Sequence, residues 1–321
     1  MQAAKSIDTQ IKTSLKVPKK SKKVNKNSRY IALYIMLIPG ILYYVIYKYI
    51  PMFGTIIAFK DYSLVKGIIR SPWANPWYKY FAQFFKSPYF TQLLSNTLIL
   101  SFSKLIVNTL GSIILALFLN EVKSKFFKSF VQTVTYLPHF LSWVIVYGII
   151  FSLFSESSGV INLLLKRYFG TTLPMLNSPD HFRWLLILSN AWKGCGWGAI
   201  IYLAAISGID PGLYEAAAID GANRFQRMWH VTLSGIRSSI IMMMILNCGH
   251  ILSAGFDHIF VMYSIPVQSV SDIIDTWVYR TGLEQMNYSL GTAVGLFKSA
   301  VSFALILTVN KIAKRWGESM W

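Results

Sequence analysis

The chain has 321 residues, of which 54% are hydrophobic and only 14% charged, and its mean hydropathy is +0.45. A soluble domain carries about 25% charged residues and a disordered one needs low hydrophobicity, so the composition excludes disorder and argues against a water-soluble enzyme. The formal net charge is +18, from 31 Lys and Arg against 13 Asp and Glu, but the basic residues sit beside apolar runs; that is the pattern of topology signals and anionic-lipid contact, and no nucleic-acid partner is expected.

Residues 1–29 carry nine Lys/Arg against a single acid, Asp8, and read as a disordered cytoplasmic tail that fixes orientation. The tail lacks the pattern of a secretory signal. Six apolar runs follow, at about 30–50, 95–119, 131–154, 183–207, 238–263 and 290–310, each read as one membrane-spanning helix. Pro39-Gly40 predicts a kink in the first run, and Pro138 interrupts the third. The tail, the 120–130 and 208–237 connections and the C-terminal end together carry eighteen Lys/Arg, against eight in the other connections. Both termini and the 208–237 connection therefore read as cytoplasmic. The opposite-side connection 54–94 is rich in aromatics, among them Tyr62, Trp73, Trp77, Tyr80 and Phe84, which suit a membrane interface or the docking of an external partner. Cys195 and Cys248 lie inside apolar runs and offer no disulfide framework or zinc spacing, and the five His residues form no metal-ligand pattern.

The 208–237 connection contains Asp210-Pro211, a good N-cap followed by proline at the first helical position. Ala216, Ala217 and Ala218 favour a helix, and Glu215 lies early in it, where an acid complements the dipole. Gly221 permits a turn, and Asp220 or Asn223 can cap a second helix over about 223–233, with Phe225, Trp229 and Leu233 on one stripe. Helix physics alone leaves two readings open: an interfacial hairpin that joins two spans, or a docking element for a partner.

Glu215-Ala216-Ala217, Asp220-Gly221-Ala222 and the hydrophobic stretch through Trp229, Val231 and Leu233 resemble the EAA loop of binding-protein-dependent ABC importer permeases. Ser234 stands where that family usually has a proline. Further stretches (FKDYS at 59–63, SPW at 71–73, YLPHFLSW at 136–143, GHILSAGFDHIF at 249–260 and GLFKS at 295–299) are similar to the complex-sugar and oligosaccharide branch, close to alginate- and aldouronate-type permeases. The resemblance implies an all-α integral membrane protein of the maltose-type permease fold, with six spans and cytoplasmic termini, in a bacterial cell membrane. It also implies that Glu215, Ala216, Ala217, Asp220, Gly221 and Ala222 couple to an ATPase dimer. A second permease chain would complete the path, and an extracellular solute-binding protein would deliver a carbohydrate. The chain has no GxxxxGK[ST] phosphate loop, so ATP and Mg are expected on the ATPase, with no cofactor or metal bound here and no catalytic residues.

Polar residues inside apolar runs are costly and face protein or water. They include Lys104, Asn108, His139 and His258. Sugars call for hydrogen-bonding groups and aromatic faces, which nominates Trp143, Tyr147, Asn190, Trp192, Lys193, Asn247, His250, Asp257 and Lys298 for a substrate path. Trp197 is a further aromatic of the same kind. Lys193 and Asp257 either pair across the fourth and fifth runs or face the cavity. An acidic sugar would favour exposed Lys193 and Lys298. The alternatives are a non-sugar solute or a transporter working without an ATPase.

Overall fold

The computed structural model describes residues 26–315 and Gly317; most of the basic tail, residues 1–25, lies outside them. Among the described residues the chain is helical, with no strand and one isolated antiparallel bridge between Lys60 and Trp73. It divides into two units at Thr55/Ile56.

The described part of the first unit is helical throughout, with α1 (Lys26–Tyr44) running on through a π turn at Val45–Tyr49. Pro39 lies within α1, which continues past it, and a π turn follows at Val45–Tyr49. Side chains from Leu33 to Phe53 are exposed, so this apolar rod presents hydrocarbon on all sides, as a lipid-facing helix does.

The second unit has three apolar clusters. One joins the 56–90 connection to the last helices, through Ala58, Phe84, Trp277 and Leu290. The second lies around Leu100, Val146, Phe182 and Ile259, and the third around Ala116, Ala199, Tyr202 and Ile236. The unit contains α2 (Lys79–Phe85), α3 (Phe90–Glu121), α4 (Lys125–Tyr136), α5 (Trp143–Phe154), α6 (Val160–Phe169) and α7 (Pro179–Ser207). Then come α8 (Pro211–Ile219), α9 (Arg224–Arg227), α10 (Arg237–Cys248), α11 (Phe256–Met262), α12 (Ile274–Val278) and α13 (Tyr288–Lys314).

At the centre α3 packs on α7, and glycines set how closely. A Cβ on Gly194 would meet Asn108 Oδ1, one on Gly198 would meet Ser112 Oγ, and one on Gly111 would meet Cys195 Sγ. Gly194 and Gly198 are four residues apart, the small-xxx-small spacing that lets membrane helices approach. Gly196, on another face of α7, touches the Thr135 carbonyl of α4. Three helices thus meet on the stretch GCGWG, in van der Waals contact that lipid cannot replace.

Among the described residues, three helices can cross a membrane by length and apolar composition: Leu33–Phe59, Phe90–Glu121 and Tyr288–Lys314. Two of the expected spans are bent instead of straight. The third breaks around Leu141, where Lys125–Phe140 meets Trp143–Phe154 at 107°. The cause is local: Pro138 cannot donate to the ladder, a 3-10 turn forms over Leu137–Phe140, and Ser142 N-caps α5 through Ile145 N. The fifth run breaks between α10 and α11, where Ala254 (φ 47°) and Gly255 (φ 77°) are both left-handed.

Candidate functional site

The hairpin 208–235 closes almost entirely by its own hydrogen bonds. Gly212 N donates to Asp210 Oδ1 at 2.9 Å and Pro211 opens α8, the expected N-terminus. The C-terminus is a full Schellman motif: Ala222 N bonds Ala217 O (2.9 Å) and Gly221 N bonds Ala218 O (3.1 Å), with Gly221 at φ 80°. The cap of the second helix is Asn223 and not Asp220. Gln226 N donates to Asn223 Oδ1, and Asn223 N to Gln226 Oε1, a reciprocal capping box. The second helix is less regular than expected: α9 passes into a π turn at Met228–Thr232 and a last turn at Leu233–Gly235.

A hydroxyl pair, Tyr214 and Thr232 at 3.0 Å, ties the two arms together. Leu233 and Ile209 pack on the cluster around Ile236, which anchors the hairpin to α3 and α7. Phe225 and Trp229 stack on each other (6.4 Å between centroids) but remain exposed, so only Leu233 of the expected stripe turns inward. Glu215, Ala216, Asp220 and Gly221 are exposed as well, while Ala217 and Ala222 are half-buried beside a cleft of about 310 Å³ that also involves Asp220, Gly221, Gln226 and His230. All six expected coupling residues therefore lie on one rigid knob, next to exposed Leu213, Ile219, Phe225 and Trp229. Such a surface is suited to burying itself against another protein.

On an open face of the helix bundle, Asn190, Asn247 and His250 of the expected path line one cavity of about 310 Å³, with Asn247 and His250 exposed. The cavity is completed by Ser101, Lys104 and Asn108 of α3 and by the break residues Ala254 and Gly255. Ser101 Oγ and Asn108 Oδ1 are buried with no hydrogen-bond partner among the described residues, and Asn108 Oδ1 lies against Gly194 of α7. Lys104, 6% exposed, donates to Ala254 O (2.9 Å) and lies 3.1 Å from His258 Nδ1. His258 Nε2 is 3.0 Å from Ser189 Oγ, and the imidazole stacks on Trp143 at 3.7 Å. This chain of contacts joins α3, α7, α5 and α11 at the break. The site residues missed from sequence, Ser101 and Ser189, had a readable signal in the first case. Ser101, Lys104 and Asn108 recur at steps of three and four, so they share one helix face.

Other expected path residues lie elsewhere. Lys193 and Asp257 do not pair: Lys193 donates to His139 O at 2.7 Å and sits over the Trp143 ring, while Asp257 is exposed in the first turn of α11. The break at 249–255 gives the reason, because a straight fifth helix was needed to aim Asp257 at α7. Lys298 is ion-paired with Asp275 and is not free for a ligand. Trp143 and Tyr147 pack on the Leu100 cluster, Trp197 stacks on His139 (4.4 Å), and Trp192 is exposed.

Outside the apolar runs, the ion pair of Arg280 with Asp272 (2.6 Å) is completed by Thr276 and Tyr263. Lys79, with Tyr80, bonds Asp61. The Lys79 ammonium, helped by the Tyr80 hydroxyl, holds the Asp61 carboxyl below its ordinary value.

Residues 108–316 match the family described as "Binding-protein-dependent transport system inner membrane component". The chain is 46% identical over 286 residues to Protein LplB of Bacillus subtilis (strain 168), covering 89% of each chain. It is 45% identical over 286 residues to the polygalacturonan/rhamnogalacturonan transport system permease protein YteP of the same organism, covering 89% of this chain and 88% of that one. Among solved structures it is similar to a chain of a bacterial ABC transporter involved in the import of the acidic polysaccharide alginate, with a TM-score of 0.82 and 38% identity over 90% of this chain and 96% of that one. A bacterial alginate ABC transporter in complex with an alginate pentasaccharide-bound periplasmic protein gives the same TM-score and identity, over 91% and 97%.

Proposed function

The chain belongs to the binding-protein-dependent transport system inner membrane component family, and from that premise we propose that it is a membrane-spanning subunit of an ATP-driven importer of complex saccharides. The observation that carries this reading is the exposed, self-capped hairpin 208–235 on a chain of this family. The relatives whose names mention polygalacturonan and alginate support a carbohydrate as cargo. In this reading the protein sits in a bacterial cell membrane with both termini cytoplasmic. Six crossings result if α7 and the bent pairs each count as one. ATP and Mg belong to an ATPase dimer, a second permease completes the path, and an extracellular solute-binding protein supplies the sugar.

The chemistry divides between the two sites. The knob offers Glu215, Ala216, Ala217, Asp220, Gly221 and Ala222 to the ATPase; small residues permit close approach, and the caps make the knob move as one piece. Motion reaches the bundle through Leu233, Ile209 and Ile236. The cavity offers Asn190, Asn247 and His250 to sugar hydroxyls. ATP closure and sugar binding then bias the same two arrangements of the bundle.

The test is Gly221→Pro in the assembled importer. Proline fixes φ near −65° and removes the N–H that bonds Ala218 O, so the Schellman turn cannot form. Membrane insertion is expected to persist while ATP hydrolysis is uncoupled from uptake. Normal coupled uptake in this variant would refute the role of the knob.

A further inference from the structure

We propose that the cleft between the end of α3 and the hairpin binds the phosphate of an anionic membrane lipid, and that this lipid steadies the joint between bundle and knob. The cleft has a volume of about 390 Å³ and is lined by Asn120, Glu121, Lys123, Tyr214, Arg224 and Arg227. Three cations face one acid there. No ion pair among the described residues involves any of the three, and the Tyr214 hydroxyl is already engaged with Thr232. Gathering like charges around one cleft is repulsive unless an anion joins them.

The adjoining helix indicates that the anion is a lipid. α4 begins two residues after Lys123, carries Lys125 and Lys128, and exposes Phe126, Phe127 and Phe130. Basic residues at the start of an apolar helix with exposed phenylalanines mark an end that meets the headgroup boundary. The far end of α4 packs through Thr135 on Gly196 of α7, so the end at headgroup level is the one that follows Lys123 and carries Lys125 and Lys128. α3 has 32 residues, about 48 Å at 1.5 Å per residue, which exceeds a hydrocarbon core of about 30 Å and brings Lys123 to headgroup level. A phosphodiester held there touches Lys123 from the bundle and Arg224 and Arg227 from the knob at once. Basic pockets of this kind on the cytoplasmic side bind anionic headgroups.

The inference rests on the cytoplasmic placement of the hairpin proposed above. The assembled importer would be reconstituted in vesicles of phosphatidylcholine alone or of phosphatidylcholine and phosphatidylglycerol in equal parts. Lipids retained on the complex would be counted by native mass spectrometry, beside uptake and ATP turnover. Phosphatidylglycerol is expected to be retained over phosphatidylcholine and to raise coupled uptake. Arg224→Gln with Arg227→Gln is expected to lower that retention roughly ten-fold. Lys123→Gln, which leaves the hairpin untouched, is expected to lower it less. Inorganic phosphate should not displace the lipid; displacement would make the site one for a free anion and overturn the proposal. Equal retention in all variants would also overturn it, with the importer reading intact. Loss of the ATPase from the double variant in both lipids would overturn it too, by assigning the arginines to the motor interface. Failure of the unmutated chain to associate with any ATPase would instead sink the importer reading.

Discussion

The hairpin 208–235 and the break at 249–255 are both short, irregular and close to function, yet they are held in opposite ways. In the hairpin each exposed backbone group finds a partner within a few residues: Asp210 for Gly212, Ala217 and Ala218 for the turn, Asn223 and Gln226 for each other. At the break, Ala254 takes a conformation that side chains disfavour, and the carbonyl it exposes is satisfied by Lys104, 150 residues away. A lever that must move as one body is built from local bonds. A bend that must form and line a cavity is built from long-range ones, so its shape is shared with every helix it touches.

The comparison fails if long-range packing does not dominate the bundle. Gly196→Leu drives a side chain into the Thr135 carbonyl and is expected to destabilise the protein by about 3 kcal/mol, seen as lost folded yield and a lower Tm in detergent. Next in size, Lys104→Met leaves Ala254 O and His258 without their donor and should cost about 2 kcal/mol. Combined with His258→Phe, its effect should be non-additive by about 1 kcal/mol, because the two belong to one network. Additive losses would mean the break is held without it. Asn223→Ala removes one arm of the capping box and should cost about 1 kcal/mol, read as faster amide exchange confined to 223–228. Spread of that exchange into α3 or α7 would contradict the hairpin's independence.

The smallest effect is expected at Asp61. Its carboxyl is held below its ordinary value by Lys79 and then Tyr80, so the stabilisation is present above the unfolded-state pKa, near 3.8, and is lost as pH falls below it. Both partners are well exposed, and Asp61→Asn should cost no more than about 0.5 kcal/mol at neutral pH and nothing in strong acid. A Tm difference between variant and parent that persists at pH 2 would exclude this pair as its cause.

Much of the hairpin was legible because its causes lie close together in the chain: a Pro after an Asp, three alanines, a Gly at the turn, an Asn three residues before a Gln. Two readings there failed: 223–233 is not a regular helix but passes through a π turn, and Phe225 and Trp229 of the expected stripe stay exposed. The packing of Thr232 beneath Tyr214 and of Ile209 on Gly235 decides that turn. The cavity was legible only in fragments. Asn190, Asn247 and His250 were named from residue type and do meet. Asp257 and Lys298 were named by the same reasoning and do not join them: Asp257 lies beyond the break, and Lys298 is taken up by Asp275. The broken third span had its cause in plain view at Pro138, whereas its 107° angle did not.

Composition and order along the chain determined on their own that this is a helical membrane protein with a capped knob between its fourth and fifth apolar runs, because hydrophobic length and capping are properties of neighbouring residues. Only the tertiary structure decided which polar groups converge. Lys193 is bound to a carbonyl, Lys298 to Asp275, and Lys104 to the break. A buried charge takes whichever partner the folded helices bring within reach, and that distance is written in no local stretch of sequence.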